Sequence, residues 1–250
     1  MNDDLFLDSF RKLLDGLGAD PWPELSASGF LDVLRPEAVG GAGLDLSGLF
    51  PLAFETGRRA APPAIVQTLL ARLVDPEALD CADAAPVLAA GGVPAETARA
   101  LCAAADAAVM AGAVDALQAM TLDYASTRRQ FGREISKFQA IQHQIAVMSE
   151  EVMAARMAAE TAMTGAPLLV SLQAAAVAKM RCGEAALACA GIAHAVHGAI
   201  GVSAEHDLHH LTGALHQLRL SHGGEAYWGR RLGAWALSRP DDAATLARSL

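Results

Sequence analysis

Three arginines surround a Phe-Gly pair where one long helical segment of the sequence gives way to the next. These are Arg128, Arg129 and Arg133, which flank Phe131 and Gly132. A guanidinium can form two parallel charge-assisted hydrogen bonds with a pyrophosphate, and an aromatic ring can pack on a ring system. This junction could therefore bind a nucleotide. From spacing alone, the alternative is an arginine cluster favoured by the helix dipole, with Phe131 in the hydrophobic core.

A second irregular turn has the sequence HGAIG, from His197 to Gly201. Its glycines would let the backbone approach a phosphate or another helix closely. The segment matches neither the GxGxxG pattern nor a P-loop lysine motif. A turn that serves helix packing is therefore the simpler interpretation.

Histidine and cysteine residues could in principle bind a metal. Two histidines on one predicted helix, His206 and His210, have a spacing of four, but no HExxH pattern and no nearby cysteine accompany them. We therefore predict no metal site for this group of histidines, whose other members are His209 and His216. No cysteines form a CxxC pair, and we interpret all four as small buried hydrophobic residues: Cys81, Cys102, Cys182 and Cys189.

The overall composition predicts a helical and acidic protein. Hydrophobic residues make up 53% of the chain, mainly alanine and leucine, whereas aromatic residues make up 5%. A formal net charge of -9 argues against nucleic acid and anionic membranes as partners. The positive charge and apolar run of a secretory signal are missing from the amino terminus, MNDDLFLDSF, and we expect no apolar stretch of membrane-spanning length. We therefore expect a cytoplasmic protein.

The elements that must position these groups are helices. In the first part of the chain, apolar spacing and turn residues predict helices over residues 4–17, 24–34, 47–59 and 64–73. Prolines, a glycine pair and the lack of a sustained period predict a linker and a domain boundary within residues 75–94.

The rest of the chain has the composition of long helices. They are predicted over residues 97–127, 136–164, 167–197 and 204–237, and the glycines at 213 and 223–224 divide the last stretch into two helices. Such segments pack as an antiparallel bundle. We predict an all-α fold with an N-terminal helical domain over residues 1–92 and a four-helix bundle over residues 93–250.

Three blocks of the sequence resemble the acyl-CoA dehydrogenase family. The block YASTRRQFGREISKFQAIQ, which starts at Tyr124, is similar to the family's flavin-contacting motif, in which a tyrosine is followed by an arginine, QFG and FQ. The block AVHGAIGVSAEHDLHHL is similar to the family's Q-x-x-G-G-x-G-[FY]-x-x-E segment, and the first ninety residues are similar to its amino-terminal helical domain. The resemblance covers nearly the whole chain, but only residues 75–94 occupy the place of the family's middle β-domain.

The resemblance implies a set of FAD-contacting residues. Arg128 matches the arginine that binds the FAD pyrophosphate of a neighbouring subunit, and Gln130 and Phe131 match residues at the same cofactor. Positions near the adenosine end of the cofactor are matched by Ile135, Phe138 and Ile141.

The second motif is matched only in part. Gly198 and Gly201 match two of its glycines, whereas Ala195 replaces its glutamine and Ala199 replaces its middle glycine. The resemblance thus implies an altered second half of the cofactor site.

The family's catalytic glutamate is missing from both positions where the resemblance would place it. In the family, a carboxylate removes the α proton of an acyl-CoA thioester while the flavin accepts the β hydride. A gap-free count puts the usual base position on His222 and the alternative one on Cys102. A substitute base would be His222 itself, or Glu225 if the helix were shifted by almost one turn.

Three functions are compatible with this resemblance. The first is a subunit without a catalytic base in a heteromeric FAD-dependent acyl-CoA dehydrogenase, which contributes Arg128, Gln130 and Phe131 to a flavin shared with a full-length partner subunit. Its acyl-CoA substrate would belong to fatty acid or steroid catabolism, and a bulky or steroid-derived acyl chain would suit an opened pocket. The second is an independent flavoenzyme with a rebuilt base, and the third is a non-enzymatic helical assembly protein. The isolated chain could form a homo-oligomer.

Overall fold

The N-terminal part of the molecule is built from short helices. The computed structural model describes residues 3–203, 205–240 and 245. The first four helices are α1 (Asp3–Gly16), α2 (Trp22–Ser28), α3 (Leu46–Arg58) and α4 (Ala64–Ala71). The amphipathic helix α1 buries Phe10 and Leu14 on its inner face. The Asp45 carboxylate accepts a hydrogen bond of 2.9 Å from the Gly48 amide, which caps the start of α3.

The prediction of one helix over residues 24–34 was wrong. Helix α2 ends at Ser28 because Gly29 adopts a left-handed conformation with φ of 77°. Only a single 3₁₀ turn, Phe30–Asp32, follows it.

The segment predicted as a linker contains the short helix α5 (Ala85–Ala90). Ala84 and Leu88 are fully buried, and they belong to one hydrophobic core that continues from the N-terminal helices into the bundle. The position of the domain boundary stays a prediction.

Five helices form the C-terminal part: α6 (Ala95–Thr127), α7 (Gln139–Ala162), α8 (Leu172–His197), α9 (Leu208–Leu220) and α10 (Glu225–Leu237). Helix α6 lies at the centre and packs against α3, α7, α8 and α9. The last predicted stretch does divide at the glycine pair, where Gly223 has φ of 106°, but Gly213 lies inside α9 and does not interrupt it. Its predicted start, residue 204, lies outside the described residues.

Glycines allow α3 and α6 to approach until their backbones touch. A Cβ atom added at Gly57 would lie 1.8 Å from the Val109 carbonyl oxygen, and one added at Gly112 would lie 1.9 Å from the Phe54 carbonyl oxygen. Since nothing larger than hydrogen fits at these two points, the pair of glycines sets the distance between the two helices.

Two helical segments are long and apolar enough to cross a membrane by length and composition alone, Ala95–Thr127 and Leu172–Val202. The expectation that no stretch reaches this length was therefore wrong. In the most apolar 18-residue stretch of the first segment, 89% of the stretch is buried inside the protein. In the corresponding stretch of the second segment, 44% is buried. A helix that is apolar on all sides can form the core of a globular fold, and this describes α6.

The all-α prediction is confirmed, with one small exception in the described part of the chain. Arg129–Gln130 (β1) and Arg133–Glu134 (β2) pair as a two-residue antiparallel hairpin, in which Arg129 lies opposite Glu134. The hairpin connects α6 to α7 and carries the arginines singled out above.

Candidate cofactor-contact site and the base position

The hairpin and the residue before it present three of the predicted cofactor residues, Arg128, Gln130 and Phe131, to solvent. Helix α6 ends where the Arg128 amide donates to the Tyr124 carbonyl at 2.8 Å, and the Ile135 amide then donates to the Arg128 carbonyl at 2.9 Å. Phe131 and Gly132 form the turn, with φ of 50° and 82°. The Phe131 side chain is 92% exposed. This excludes the alternative in which Phe131 lies in the hydrophobic core.

The side chains around this turn form an open cationic and aromatic surface. The Arg133 guanidinium lies 4.2 Å from the centre of the Phe138 ring, and Phe131 meets the same ring edge-on at 6.1 Å. Arg129 is held within the hairpin, where it donates to the Gly132 carbonyl at 3.2 Å. By contrast, within the described residues the Arg128 guanidinium has no hydrogen-bond or ion-pair partner.

A small hydrophobic cluster fastens the hairpin to the bundle. Ile135 is buried with Ala125 of α6 and Val196 of α8, and the half-buried side chains of Phe138 and Ile141 pack against them. Ile135 therefore faces inward, while Phe138 and Ile141 keep part of their surface open to a ligand.

The two sequence motifs meet at the end of α8. The Tyr124 hydroxyl donates to the His197 carbonyl at 3.3 Å, and the two rings stack with centroids 4.4 Å apart. The His206 ring meets His197 edge-on at 4.8 Å. Burial lowers the pKa of His197, and its Nε2 atom is buried without a hydrogen-bond partner among the described residues. Sequence reasoning missed this stack, because Tyr124, His197 and His206 are far apart in the sequence or have no regular spacing that would predict a contact between their rings.

The turn after α8 requires glycine for packing at one position. A Cβ atom added at Gly201 would lie 2.8 Å from a Leu208 methyl carbon and 2.9 Å from the His197 Cβ atom. Gly201 is buried, whereas Gly198 is exposed and adopts φ of 65°. Gly198 alone of these two offers its backbone to solvent.

His222, which the gap-free count assigns to the usual base position, belongs to an ion-pair network. His222 lies in the turn between α9 and α10, with its Nδ1 atom 2.7 Å from the Asp106 carboxylate and its Nε2 atom 3.0 Å from that of Asp83. Asp106 is buried and also accepts hydrogen bonds from Gln67, at 2.9 Å, and from the Ser221 hydroxyl. Burial alone would lower the pKa of His222, but the two carboxylates outweigh burial and raise it. His222 is therefore not arranged as a free base.

The alternative base is also engaged. Glu225, the first residue of α10, pairs with the Arg219 guanidinium and packs against Gly183 of α8. Nearby, the buried Lys179 donates to the last carbonyls of α9, including that of Arg219 at 3.1 Å, and burial lowers its pKa. The region is a packed polar network in which both candidate bases have charged partners.

The cysteines and the histidines of α9 take ordinary positions. Cys102, Cys182 and Cys189 are buried as expected, while Cys81 is half-buried. His209 and His210 stack on each other with centroids 3.9 Å apart. In the described part of the chain these α9 histidines do not join a group of three metal ligands.

The residues present fit one side of an FAD site. The free Arg128 guanidinium is the donor that a pyrophosphate requires, and Phe131 offers an exposed ring face next to it. Because Arg128, Gln130 and Phe131 are all exposed on the hairpin, they would cover a dinucleotide from one side only.

Comparison with known proteins gives a family and several relatives. The acyl-CoA dehydrogenase C-terminal domain model matches residues 95–235. The chain is similar to the 3-sulfinopropanoyl-CoA desulfinase of Paraburkholderia xenovorans, with 43% identity over 82 residues, which is 33% of this chain and 21% of that protein. It is also similar to acyl-CoA dehydrogenase IpdE2 of Mycobacterium tuberculosis, with 36% identity over 103 residues, which is 41% of this chain and 31% of that protein. Each match thus spans less than a third of the relative's length.

Solved structures share the fold at lower identity. The Tcur3481-Tcur3483 steroid ACAD, solved as a variant, has a TM-score of 0.79 and 21% identity, covering 95% of this chain and 99% of that chain. The ChsE4-ChsE5 complex from Mycobacterium tuberculosis has a TM-score of 0.76 and 18% identity, covering 96% and 99%. A glutaryl-CoA dehydrogenase from Mycobacterium smegmatis in complex with FADH2 has a TM-score of 0.53 and 15% identity, covering 61% and 39%.

The sequence motifs, the helical fold and the family model agree with one another. Because the family model covers more than half of the chain, the protein belongs to the acyl-CoA dehydrogenase family, a family of flavoprotein oxidoreductases.

Proposed function

We propose that this chain is the subunit without a catalytic base in a heteromeric FAD-dependent acyl-CoA dehydrogenase. One observation carries the proposal: the hairpin exposes a free guanidinium at Arg128 and an exposed ring at Phe131, whereas His222 at the base position is held by two carboxylates. The chain therefore has the groups for a cofactor contact, whereas both candidate bases, His222 and Glu225, are held by charged partners.

The partner is a full-length acyl-CoA dehydrogenase subunit. The exposed hairpin covers one side of a dinucleotide, so a second chain has to supply the other side. Two similar folds occur in solved structures whose names contain two components, Tcur3481-Tcur3483 and ChsE4-ChsE5. They support a pairing of unlike subunits for this chain.

In the complex, each group on the hairpin has a distinct task. Arg128 binds the pyrophosphate through charge-assisted hydrogen bonds, and Gln130 and Phe131 contact the cofactor beside it. The FAD held by these residues would supply the acceptor for the β hydride of the acyl-CoA thioester. The α proton leaves to a carboxylate of the partner subunit, and the complex works in the cytoplasm.

The substrate we propose is a bulky acyl-CoA, such as a steroid-derived one. A similar fold is described as a steroid ACAD, which supports this choice. Residues 75–94, which stand in place of the family's middle domain, form only a short helix and its flanking turns, so this chain contributes little protein on that side of the acyl group.

Co-expression with a full-length acyl-CoA dehydrogenase subunit from the same genome tests the proposal. We expect the two chains to co-purify with bound flavin and to oxidise an acyl-CoA together. Arg128→Ala removes one charge-assisted contact worth about 1.5–3 kcal/mol, so flavin affinity should fall roughly 10- to 100-fold. Lys12→Ala, on the exposed surface of α1, removes the same charge away from the hairpin and should leave flavin affinity unchanged. A partner that is fully active alone and never binds this chain would refute the proposal.

A further inference from the structure

Three potential metal ligands from separate parts of the chain converge at the base position. They are Asp83, which precedes α5, Cys102 on α6, and His222 in the turn between α9 and α10. Their ligand atoms all lie within 4.8 Å of one another. A carboxylate, a thiolate and an imidazole together form a ligand set that suits Zn²⁺.

The histidine of this group already has the support that a metal ligand needs. Its Nδ1 atom lies 2.7 Å from the buried Asp106 carboxylate, and its Nε2 atom lies 3.0 Å from the Asp83 carboxylate. Asp106 is fixed in turn by Gln67 and Ser221. Histidines that bind metals usually pair their second ring nitrogen with a carboxylate or a carbonyl, because this sets the ring orientation and its tautomer.

The spacing of the ligand atoms is close to that of a tetrahedral site. The His222 Nε2 and Asp83 Oδ1 atoms are 3.0 Å apart, and zinc-ligand bonds of the usual length would place them roughly 3.3 Å apart. The Cys102 sulfur would stand roughly 3.5 Å from the other two ligand atoms in such a site, and in this structure it lies within 4.8 Å of both. Binding of an ion by both residues would replace the hydrogen bond between His222 and Asp83.

We propose that Asp83, Cys102 and His222 bind one Zn²⁺ ion, with the fourth coordination position open to water or to an added ligand. The carboxylate and the thiolate balance the charge of the ion. Since Asp83 lies in the segment before α5, the ion joins this segment to α6 and to the turn before α10. The site does not depend on the proposed role of the chain as a subunit, because all of its ligands belong to this chain.

Cobalt substitution of the purified full-length chain tests the site. After dialysis against a chelator, titration with Co²⁺ should bind one ion per chain and produce a thiolate-to-cobalt charge-transfer absorption, which Zn²⁺ then abolishes. Cys102→Ser should remove this absorption. Cys189→Ser, which alters another buried cysteine on α8, should leave it unchanged.

A gentler variant keeps the test decisive if Cys102→Ser does not fold. Asp83 is exposed and accepts a hydrogen bond from the Ala85 amide at 2.9 Å, which an asparagine can also accept. Asp83→Asn should therefore keep the circular dichroism spectrum but weaken Zn²⁺ binding at least tenfold, and Zn²⁺ should raise the unfolding temperature of the unmodified chain more than that of the variant. A folded chain that gives no charge-transfer absorption with Co²⁺, or an absorption that survives in Cys102→Ser, overturns the proposal.

Discussion

The contact between α3 and α6 gives a sharp prediction about stability. Gly112 lies in the middle of α6 and faces the backbone of α3. Replacing it with alanine would place a Cβ atom 1.9 Å from the Phe54 carbonyl oxygen and 2.9 Å from the Arg58 amide nitrogen. Both are backbone atoms, so no side chain can rotate away to make room. We expect Gly112→Ala to push the two helices apart.

The size of the effect follows from the distances. Real Cβ atoms essentially never approach closer than 3.0 Å, so the helices must separate by at least 1.1 Å, the difference between 3.0 and 1.9 Å. Overpacking of this kind costs about 1–3 kcal/mol or more, and the better helix propensity of alanine offsets at most about 1 kcal/mol. The net loss should be about 2 kcal/mol. For a chain of this length it lowers the unfolding temperature by roughly 4–8 °C.

Thermal and urea unfolding followed by circular dichroism measures the loss. Gly191→Ala in α8 is the matched control, because an added Cβ atom there meets nothing within 4 Å. The control should be as stable as the unmodified chain or up to about 1 kcal/mol more stable. If Gly112→Ala unfolds at the same temperature as the control, the two helices do not touch through their backbones and the reasoning fails.

Two further predictions concern buried titratable groups. Burial lowers the pKa of His197 below its ordinary value of 6.5. The imidazole therefore binds a proton more weakly in the folded chain than in the unfolded chain. The free energy of unfolding should fall as the pH drops below 6.5. His197→Phe, which keeps an aromatic ring on Tyr124, should show a smaller fall; an unchanged slope would contradict this. Burial also raises the pKa of Cys182 and Cys189 to about 12, so iodoacetamide at pH 8 should label the half-buried Cys81 first. Rapid labelling of the other two in the native protein, measured by mass spectrometry of peptides, would show that their burial is wrong.

The helices were predictable because their signals are local. The apolar spacing of α1, the alanine-rich stretch of α6 and the glycine pair before α10 are all visible within a few turns of sequence. The wrong helix predictions arose where the local sequence signals were weak or disagreed with one another. Gly29 ends α2 although the helical spacing of apolar residues continues beyond it. Helix α5 is too short for its apolar residues to show a helical period.

The role of the hairpin could be predicted only in part. The motif at Arg128 and Phe131 resembles a family segment, and this resemblance identified the correct family. The same residues, considered as sequence alone, were also compatible with a Phe131 side chain buried in the hydrophobic core. Exposure depends on whether another element covers the hairpin, and this is a property of the packed molecule.

The sequence by itself determined the helical class and the family, and it predicts the loss of glutamate at the base position. Only the tertiary structure showed that His222, the residue predicted at that position, is held by two carboxylates. His222 and Asp106 lie 116 residues apart in the chain, and Asp83 and His222 lie 139 apart. No pattern of local spacing links such residues, because their contact arises only after α6, α9 and the segment before α5 have packed around a shared core. The distance between α3 and α6 has the same origin, since a glycine in a helix shows its function only when the neighbouring helix is in place.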